Sequence, residues 1–479
     1  MKKTGEETWV TPRKRTLMFK TARRRYGQVQ PGIKMGPFIL RLPLVHHPLE
    51  LSELFQGIIM TATGLGLVAL LEDLFGIPYE AALTIIIVQQ LGYYLHQFLG
   101  DTTISGWLTP AVPLIMTFIA RYPAGPERLQ AYIALQLVVG LIFIIFGLSG
   151  MANKMMKIVP ESLKAGLIIG AALSVLMGEY GITPAGLLFK DYFYVLVIGV
   201  PLVLFLIYSD RVSSRIKERP SGFLAKLSRY GIVPSLLLVM FLAFVTGEAK
   251  LTGIQFGFFL PQFGHVIREW SLFSLGMPKL EMFVSSVPIA LAAYIMAFGE
   301  TVLAAETVED AAKCRPDEEI GFSTGRLNLI TGIRNIIHAL IAPNGGLAGP
   351  NWAAMTMVIA RRYEQGKDSM YTLIGGAASF NIMRVIMMTF LPLVTFILPF
   401  RVPILCILMV LQGFAGFSLG FKIANDRMKR TVAGLIGVVL AFYGASWAIL
   451  VGIFLSLTME HRPAKNPLKN NPESVGGAE

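Results

Sequence analysis

The 479 residues are 54% hydrophobic and only 15% charged, with a mean hydropathy of +0.60, which excludes an ordinary soluble domain and points to a polytopic membrane protein. The formal net charge of +12 does not indicate a nucleic-acid partner, because the basic residues cluster between apolar stretches, where membrane topology requires them. Two cysteines, Cys314 and Cys406, are too few for a disulfide framework, and the six histidines lack metal-site spacing, so no resident metal is expected.

The first 30 residues carry nine Lys or Arg, Arg24 and Arg25 among them, against Glu6 and Glu7. No apolar run follows closely enough for a signal peptide, so residues 1–50 read as a retained basic cytoplasmic segment. Its start reads as a disordered tail that sets orientation, with anionic lipid headgroups as an alternative contact.

Residues 51–460 read as a transporter domain. Apolar segments recur at 53–73, 78–99, 104–121, 128–149, 160–178, 190–208, 230–247, 281–306, 323–342, 346–361, 369–391, 395–417, 428–445 and 446–460, each near the length needed to span about 30 Å of hydrocarbon. The count is fourteen, or seven plus seven. The loops agree with it. Lys154, Lys157 and Lys164, then Arg211 to Arg229, then Arg361, Arg362 and Lys367, then Lys422, Arg427, Lys429 and Arg430, all fall on the side of the N-terminus, as does the tail 461–479. The inward segment Arg211–Arg229 mixes apolar with basic residues and suits an interfacial amphipathic helix. The outward stretch 248–280 reads as an external cap.

Two segments are broken. From Leu340 the chain runs LIAPNGGLAGPNWAAMTMVIARR to Arg362, interrupted at Pro343 and through Gly345, Gly346 and Gly349, and the sequence predicts a restart at Pro350. An earlier segment, SGWLTPAVPLIMTFIAR from Ser105 to Arg121, repeats the pattern 240 residues upstream, with Pro110 matching Pro350 and Gly106 matching Gly346. Irregular backbone at membrane depth survives only inside protein or beside a wet cavity. Paired breaks in two halves point to the central site of an inverted repeat.

The starts of the two half-helices carry unpaired N–H groups and the positive ends of helix dipoles, which suit an anion or the carbonyl oxygens of a neutral ring. Thr109 is the expected N-cap before Pro110, Gly349 precedes Pro350, Asn351 offers an amide, and Trp107 offers a stacking face. In the eighth segment Glu300 and Glu306 interrupt an apolar run, and an intramembrane carboxylate is a functional-site hypothesis. Low-dielectric surroundings favour the protonated form of a carboxyl, so Glu300 is a candidate for proton coupling. With the Thr301 hydroxyl it equally suits Na⁺. Glu306 sits nearer the helix end. Gln89, Gln90, His96, Arg334, Asn335, His338, Asn381 and Arg384 read first as interhelical glue or interface residues, with Arg384, a lone cation in mid-segment, open to a second reading as a partner for Glu300 or for an anionic substrate.

Fourteen segments, the stretch VPESLKAGLIIGAALSVL at Val159–Leu176, and short third and tenth spans preceded by Gly-rich extended pieces resemble the superfamily of nucleobase/ascorbate permeases and sulfate permease-like anion transporters. The resemblance runs over about residues 50–460 and is closest to a bacterial branch. It implies the uracil-permease fold, all-α with a 7+7 inverted repeat. A core would comprise spans one to four and eight to eleven (about 51–150 and 281–391), and a gate spans five to seven and twelve to fourteen (about 159–247 and 395–460). Elevator movement and a homodimer through the gate are implied too. Glu300 matches the base-binding glutamate of the nucleobase branch approximately. The second carboxylate of that branch has no counterpart near Pro350, where Asn351 is at best an amide.

The expectation is a proton- or sodium-coupled symporter of the bacterial cytoplasmic membrane, with both termini cytoplasmic. Its substrate is a small planar or anionic solute such as uracil or xanthine, with sulfate permease-like anion transport as the alternative and a channel or membrane sensor behind both. Substrate binding is expected at Glu300, Trp107, Thr109, Gly349, Pro350 and Asn351, and ion coupling at Glu300, Thr301 and Glu306. No cofactor beyond H⁺ or Na⁺ is expected, and no catalysis, since no nucleophile–base pair appears in the spans.

Overall fold

The computed structural model describes residues 9–10, 24–151, 158–178, 182–184, 186–219, 222–224, 232–251 and 253–460. The basic residues expected before Arg24, and Lys154, Lys157, Lys226, Arg229 and the tail 461–479, lie outside the described residues.

The first half of the chain supplies α1 (Leu51–Phe75), α2 (Tyr79–Phe98), α3 (Val112–Ile119), α4 (Pro126–Ser149), α5 (Glu161–Met177), α6 (Val200–Tyr208) and α7 (Val233–Val245). The second supplies α8 (Leu280–Cys314), α9 (Thr324–Ile341), α10 (Ala353–Glu364), α11 (Leu373–Thr389), α12 (Arg401–Ile423), α13 (Arg427–Tyr443) and α14 (Ala445–Met459). Among the described residues, four helical stretches are both long and apolar enough to cross a membrane: Leu51–Phe75, Pro126–Ser149, Leu280–Cys314 and Leu391–Ile423. The chain is an integral membrane protein. The other helices are shorter than the roughly 20 residues of a simple span, or more polar.

Two groups of helices pack closely. In one, α4 lies along α9 and α8, and α1 and α2 lie along α11; in the other, α5 lies between α12 and α13, with α14 on α13. Missing side chains allow both. A Cβ on Gly332 of α9 would stand 2.8 Å from the Gly140 carbonyl of α4, and one on Gly170 of α5 would stand 2.8 Å from the Gly437 carbonyl of α13. Small residues let membrane helices approach at backbone contact, where dispersion and interhelical bonds replace the missing hydrophobic drive.

The N-terminal segment departs from its sequence reading. Arg24 is buried, not part of a solvated tail. Its Nη2 pairs with Asp317 Oδ2 at 2.6 Å, its Nη1 donates to the Tyr371 carbonyl at 3.1 Å, and the guanidinium lies 4.6 Å from the centroid of the Tyr371 ring. Further on, β1 (Ile33–Met35) and β2 (Phe38–Leu40) form a hairpin that docks on the end of α2 through Ile39 N–H to Leu99 O and Arg41 N–H to Phe98 O. Residues 24–50 therefore strap the loop after α8 to the end of α2. Arg24→Ala is expected to cost about 3 kcal/mol of stability in thermal unfolding, towards the low end for a broken buried pair because Arg315 still holds Asp317 at 2.6 Å.

Glu50 closes the strap, accepting the Tyr371 N–H at 2.8 Å. Burial pushes its carboxyl up from 4.5 to about 7, although the Tyr371 bond and the charges of Arg362 and Arg315 pull it down. The folded protein thus holds this proton more tightly than the unfolded chain. The stabilisation is complete below about pH 4.5 and is lost as pH rises towards 7. Glu50→Gln should flatten this part of the stability–pH profile by up to about 3 kcal/mol, read from melting temperatures across that range.

Candidate functional site

After α2 the chain turns at Gly100 and runs extended into β3 (Gly106–Trp107), then through a 3-10 turn at Thr109–Ala111 into α3. After α9 it turns at Gly345 and runs extended into β4 (Ala348–Gly349), then to α10. β3 and β4 pair antiparallel, with Gly106 opposite Gly349 and Trp107 opposite Ala348. A Cβ on Gly349 would stand 3.0 Å from the Leu108 nitrogen, and one on Gly346 would stand 2.6 Å from Trp107 Cε3, so both glycines are required by close approach.

The restart differs from the sequence expectation. α10 begins at Ala353, not Pro350, because the Trp352 N–H is drawn to the Ile104 carbonyl at 2.6 Å and keeps the chain extended past Asn351. Thr109 does not cap α3: its hydroxyl contacts the Trp107 carbonyl at 3.4 Å and it is itself the first residue of the 3-10 turn. Gly349 and Pro350 are buried backbone of the crossing, and Trp107 packs over Gly346.

Two consecutive residues of α9 hold the two strands. Asn335 grips Ala348 at both ends of its peptide unit, accepting its N–H at 2.9 Å and donating to its carbonyl at 3.0 Å. Arg334 donates to the Gly106 carbonyl and, at 2.9 Å, to His96 Nε2. A guanidinium only donates, so Nε2 accepts and Nδ1–H faces Asp101 Oδ2 at 2.8 Å. Residues that read as helix glue thus position the crossing. Asn335→Ala orphans a buried N–H and a buried carbonyl, and should cost about 3 kcal/mol in thermal unfolding.

Glu300 and Asn351 meet, but through the main chain. Asn351 Nδ2 donates to the Glu300 carbonyl at 3.2 Å, and Asn351 Oδ1 accepts the Thr356 hydroxyl at 2.6 Å. The amide is therefore engaged at both ends. The Glu300 side chain is partly buried, and its Oε2 is enclosed without a hydrogen-bond partner among the described residues. Thr301 donates back to the Ala297 carbonyl at 3.2 Å. Glu306 is exposed and lies outside this constellation.

The strongest polar feature is Arg384 on α11. It is 3% exposed, and its Nε and Nη1 have no acceptor among the described residues. Its guanidinium carbon lies 5.0 Å from the Tyr93 ring centroid and 5.4 Å from those of Trp352 and Phe380. Trp352 is the N-cap residue of α10, so a buried cation and the positive end of a helix dipole share one neighbourhood. Both favour negative charge. Trp352 escaped the sequence reading, which chose Trp107 for stacking. The signal available was its adjacency to Asn351 at the break.

Three solved structures align with most of this length. The transmembrane domain of the cyanobacterium bicarbonate transporter BicA aligns with a TM-score of 0.47 and 16% identity, covering 84% of this chain and 97% of that one. The overall structure of SLC26A9 aligns with a TM-score of 0.49 and 15% identity over 85% of this chain and 64% of that one. The murine Slc26a9 anion transporter, in an inward-facing state, aligns with a TM-score of 0.49 and 13% identity over 85% and 67%. No protein-family model matches the sequence, and no curated protein sequence does.

Proposed function

We propose that this protein is a membrane transporter of a small anion, held at Arg384 beside the crossed starts of α3 and α10. The observation that carries the reading is the buried guanidinium with unpartnered Nε and Nη1 next to the N-cap of α10. Leaving a charged donor in a low-dielectric site without an acceptor is costly, and an anion that supplies the acceptor removes that cost. The nucleobase reading has less support, because the one amide at the break, Asn351, is engaged by Thr356 and the Glu300 carbonyl. The planar guanidinium fork matches the paired oxygens of a planar oxyanion such as a carboxylate, so a planar anion fits best.

Coupling falls to Glu300, with H⁺ or Na⁺ as the ion. A core of α1 to α4 and α8 to α11 would move against a gate of α5 to α7 and α12 to α14, a division supported by the close packing of α4 on α8 and α9 and of α5 on α12 and α13. Fourteen crossings, both termini cytoplasmic, a bacterial cytoplasmic membrane and a gate-mediated dimer complete the proposal.

The test is thermal unfolding of the detergent-purified protein with bicarbonate, sulfate, small carboxylates, uracil and xanthine, at several pH values, with and without Na⁺. A ligand at about 100 times its Kd should stabilise by roughly 2.7 kcal/mol. Stabilisation by anions and not by neutral bases supports the reading. Stabilisation by uracil or xanthine alone overturns it in favour of the nucleobase branch.

A further inference from the structure

α6 is apolar from Val200 to Tyr208, Ser209 is extended, and a polar helix, Asp210–Glu218, follows at once. This abrupt change sets the corner at a membrane–water boundary. A cavity of about 490 Å³ opens there, a volume in the range of small-molecule sites. Its lining combines apolar side chains, Phe205, Leu206, Val212 and Leu224, with Arg211 and Arg215. The two arginines are one helical turn apart and therefore on one face. Both are exposed. Val212 between them is 7% exposed and fixes the polar helix against the body of the protein. Glu218 also lines the cavity, so two cations stand against one carboxylate.

We propose that this cavity binds an anionic phospholipid, with the phosphate on Arg211 and Arg215 and the upper acyl chain against Phe205, Leu206 and Leu224. A free inorganic anion would use the charges and leave the apolar wall uncovered; a neutral lipid would do the reverse. A lining that is both apolar and cationic matches an amphiphile with an acidic head.

The experiment follows the melting temperature of the detergent-purified full chain during titration with dioctanoyl-phosphatidylglycerol, dioctanoyl-phosphatidylcholine or inorganic phosphate. The expected result is stabilisation by the phosphatidylglycerol at lower concentration than by the phosphatidylcholine, and none by inorganic phosphate. In the double variant R211Q/R215Q the midpoint should rise roughly 30-fold, from about 1 kcal/mol per basic residue. Leu224→Ser tests the apolar wall separately: it should weaken both lipids and keep the preference for phosphatidylglycerol. Equal response to the two lipids, stabilisation by inorganic phosphate in the same range, or wild-type midpoints in both variants would overturn the proposal.

Discussion

Arg384→Gln is expected to abolish anion-dependent stabilisation and uptake while leaving the ligand-free protein as stable as the wild type, or more so. The sign of the second effect distinguishes a ligand-binding cation from a structural one. A structural arginine would be bonded, and its loss would orphan acceptors. Here Nε and Nη1 have none, and the compensation comes from three ring faces at 5.0 to 5.4 Å, each worth up to about 2 kcal/mol when desolvated. Glutamine removes the buried charge and its desolvation cost together. For the anion, losing a buried charge-assisted partner costs about 2 to 5 kcal/mol, which is roughly a 30-fold to more than 1,000-fold loss of affinity. Arg384→Lys keeps the charge without the planar fork and should recover only part of the affinity. Melting-temperature titrations give both numbers from one protein preparation. Wild-type affinity in Arg384→Gln would move the anion site elsewhere.

What the sequence could reveal follows from where the determining interactions lie along it. The breaks at Gly106–Pro110 and Pro343–Pro350 were legible because glycine and proline act on their own backbone. The register between the strands was not. It depends on Asn335 and Arg334 gripping particular carbonyls and on Trp352 bonding to Ile104 across 248 positions of sequence, and those bonds carried the start of α10 three residues past Pro350. Asn351 shows the same limit. Its side chain looked free for a ligand, and only the fold brought Thr356 and the Glu300 carbonyl to it. The burial of Arg24 was hidden further still, since Asp317 stands 293 positions away and a run of basic residues reads locally as solvated. Arg384 was visible as a lone cation in an apolar segment, but its importance rests on rings from α2, α10 and α11 that no local pattern assembles.

Under the proposed function, recognition at Arg384 and coupling at Glu300 would share one region without sharing one side chain. Arg384 reaches the break through the Trp352 ring, and Glu300 reaches it through its carbonyl on the Asn351 amide. Asn351 and Trp352 are consecutive. A shift of this link would change the surroundings of the cation and of the carboxyl together, which under the proposed function would tie anion occupancy to ion occupancy through two residues of backbone.

Glu300→Gln should therefore separate coupling from binding. Glutamine has nearly the same shape as a protonated glutamic acid and leaves the main-chain bond to Asn351 in place, so anion stabilisation should survive within a few fold. Concentrative uptake should not. In a one-to-one proton symport, a pH difference of one unit is worth about 1.4 kcal/mol and drives roughly tenfold accumulation. Proteoliposomes with the wild-type protein should reach that ratio under an inward proton gradient, and those with Glu300→Gln should stop at equal concentrations while still exchanging labelled anion. If Na⁺ is the coupling ion, the wild type accumulates only under a sodium gradient, and the variant loses that dependence instead. Undiminished concentrative uptake by Glu300→Gln would remove the carboxyl from coupling altogether. Loss of exchange along with accumulation would make it part of the binding site beside Arg384.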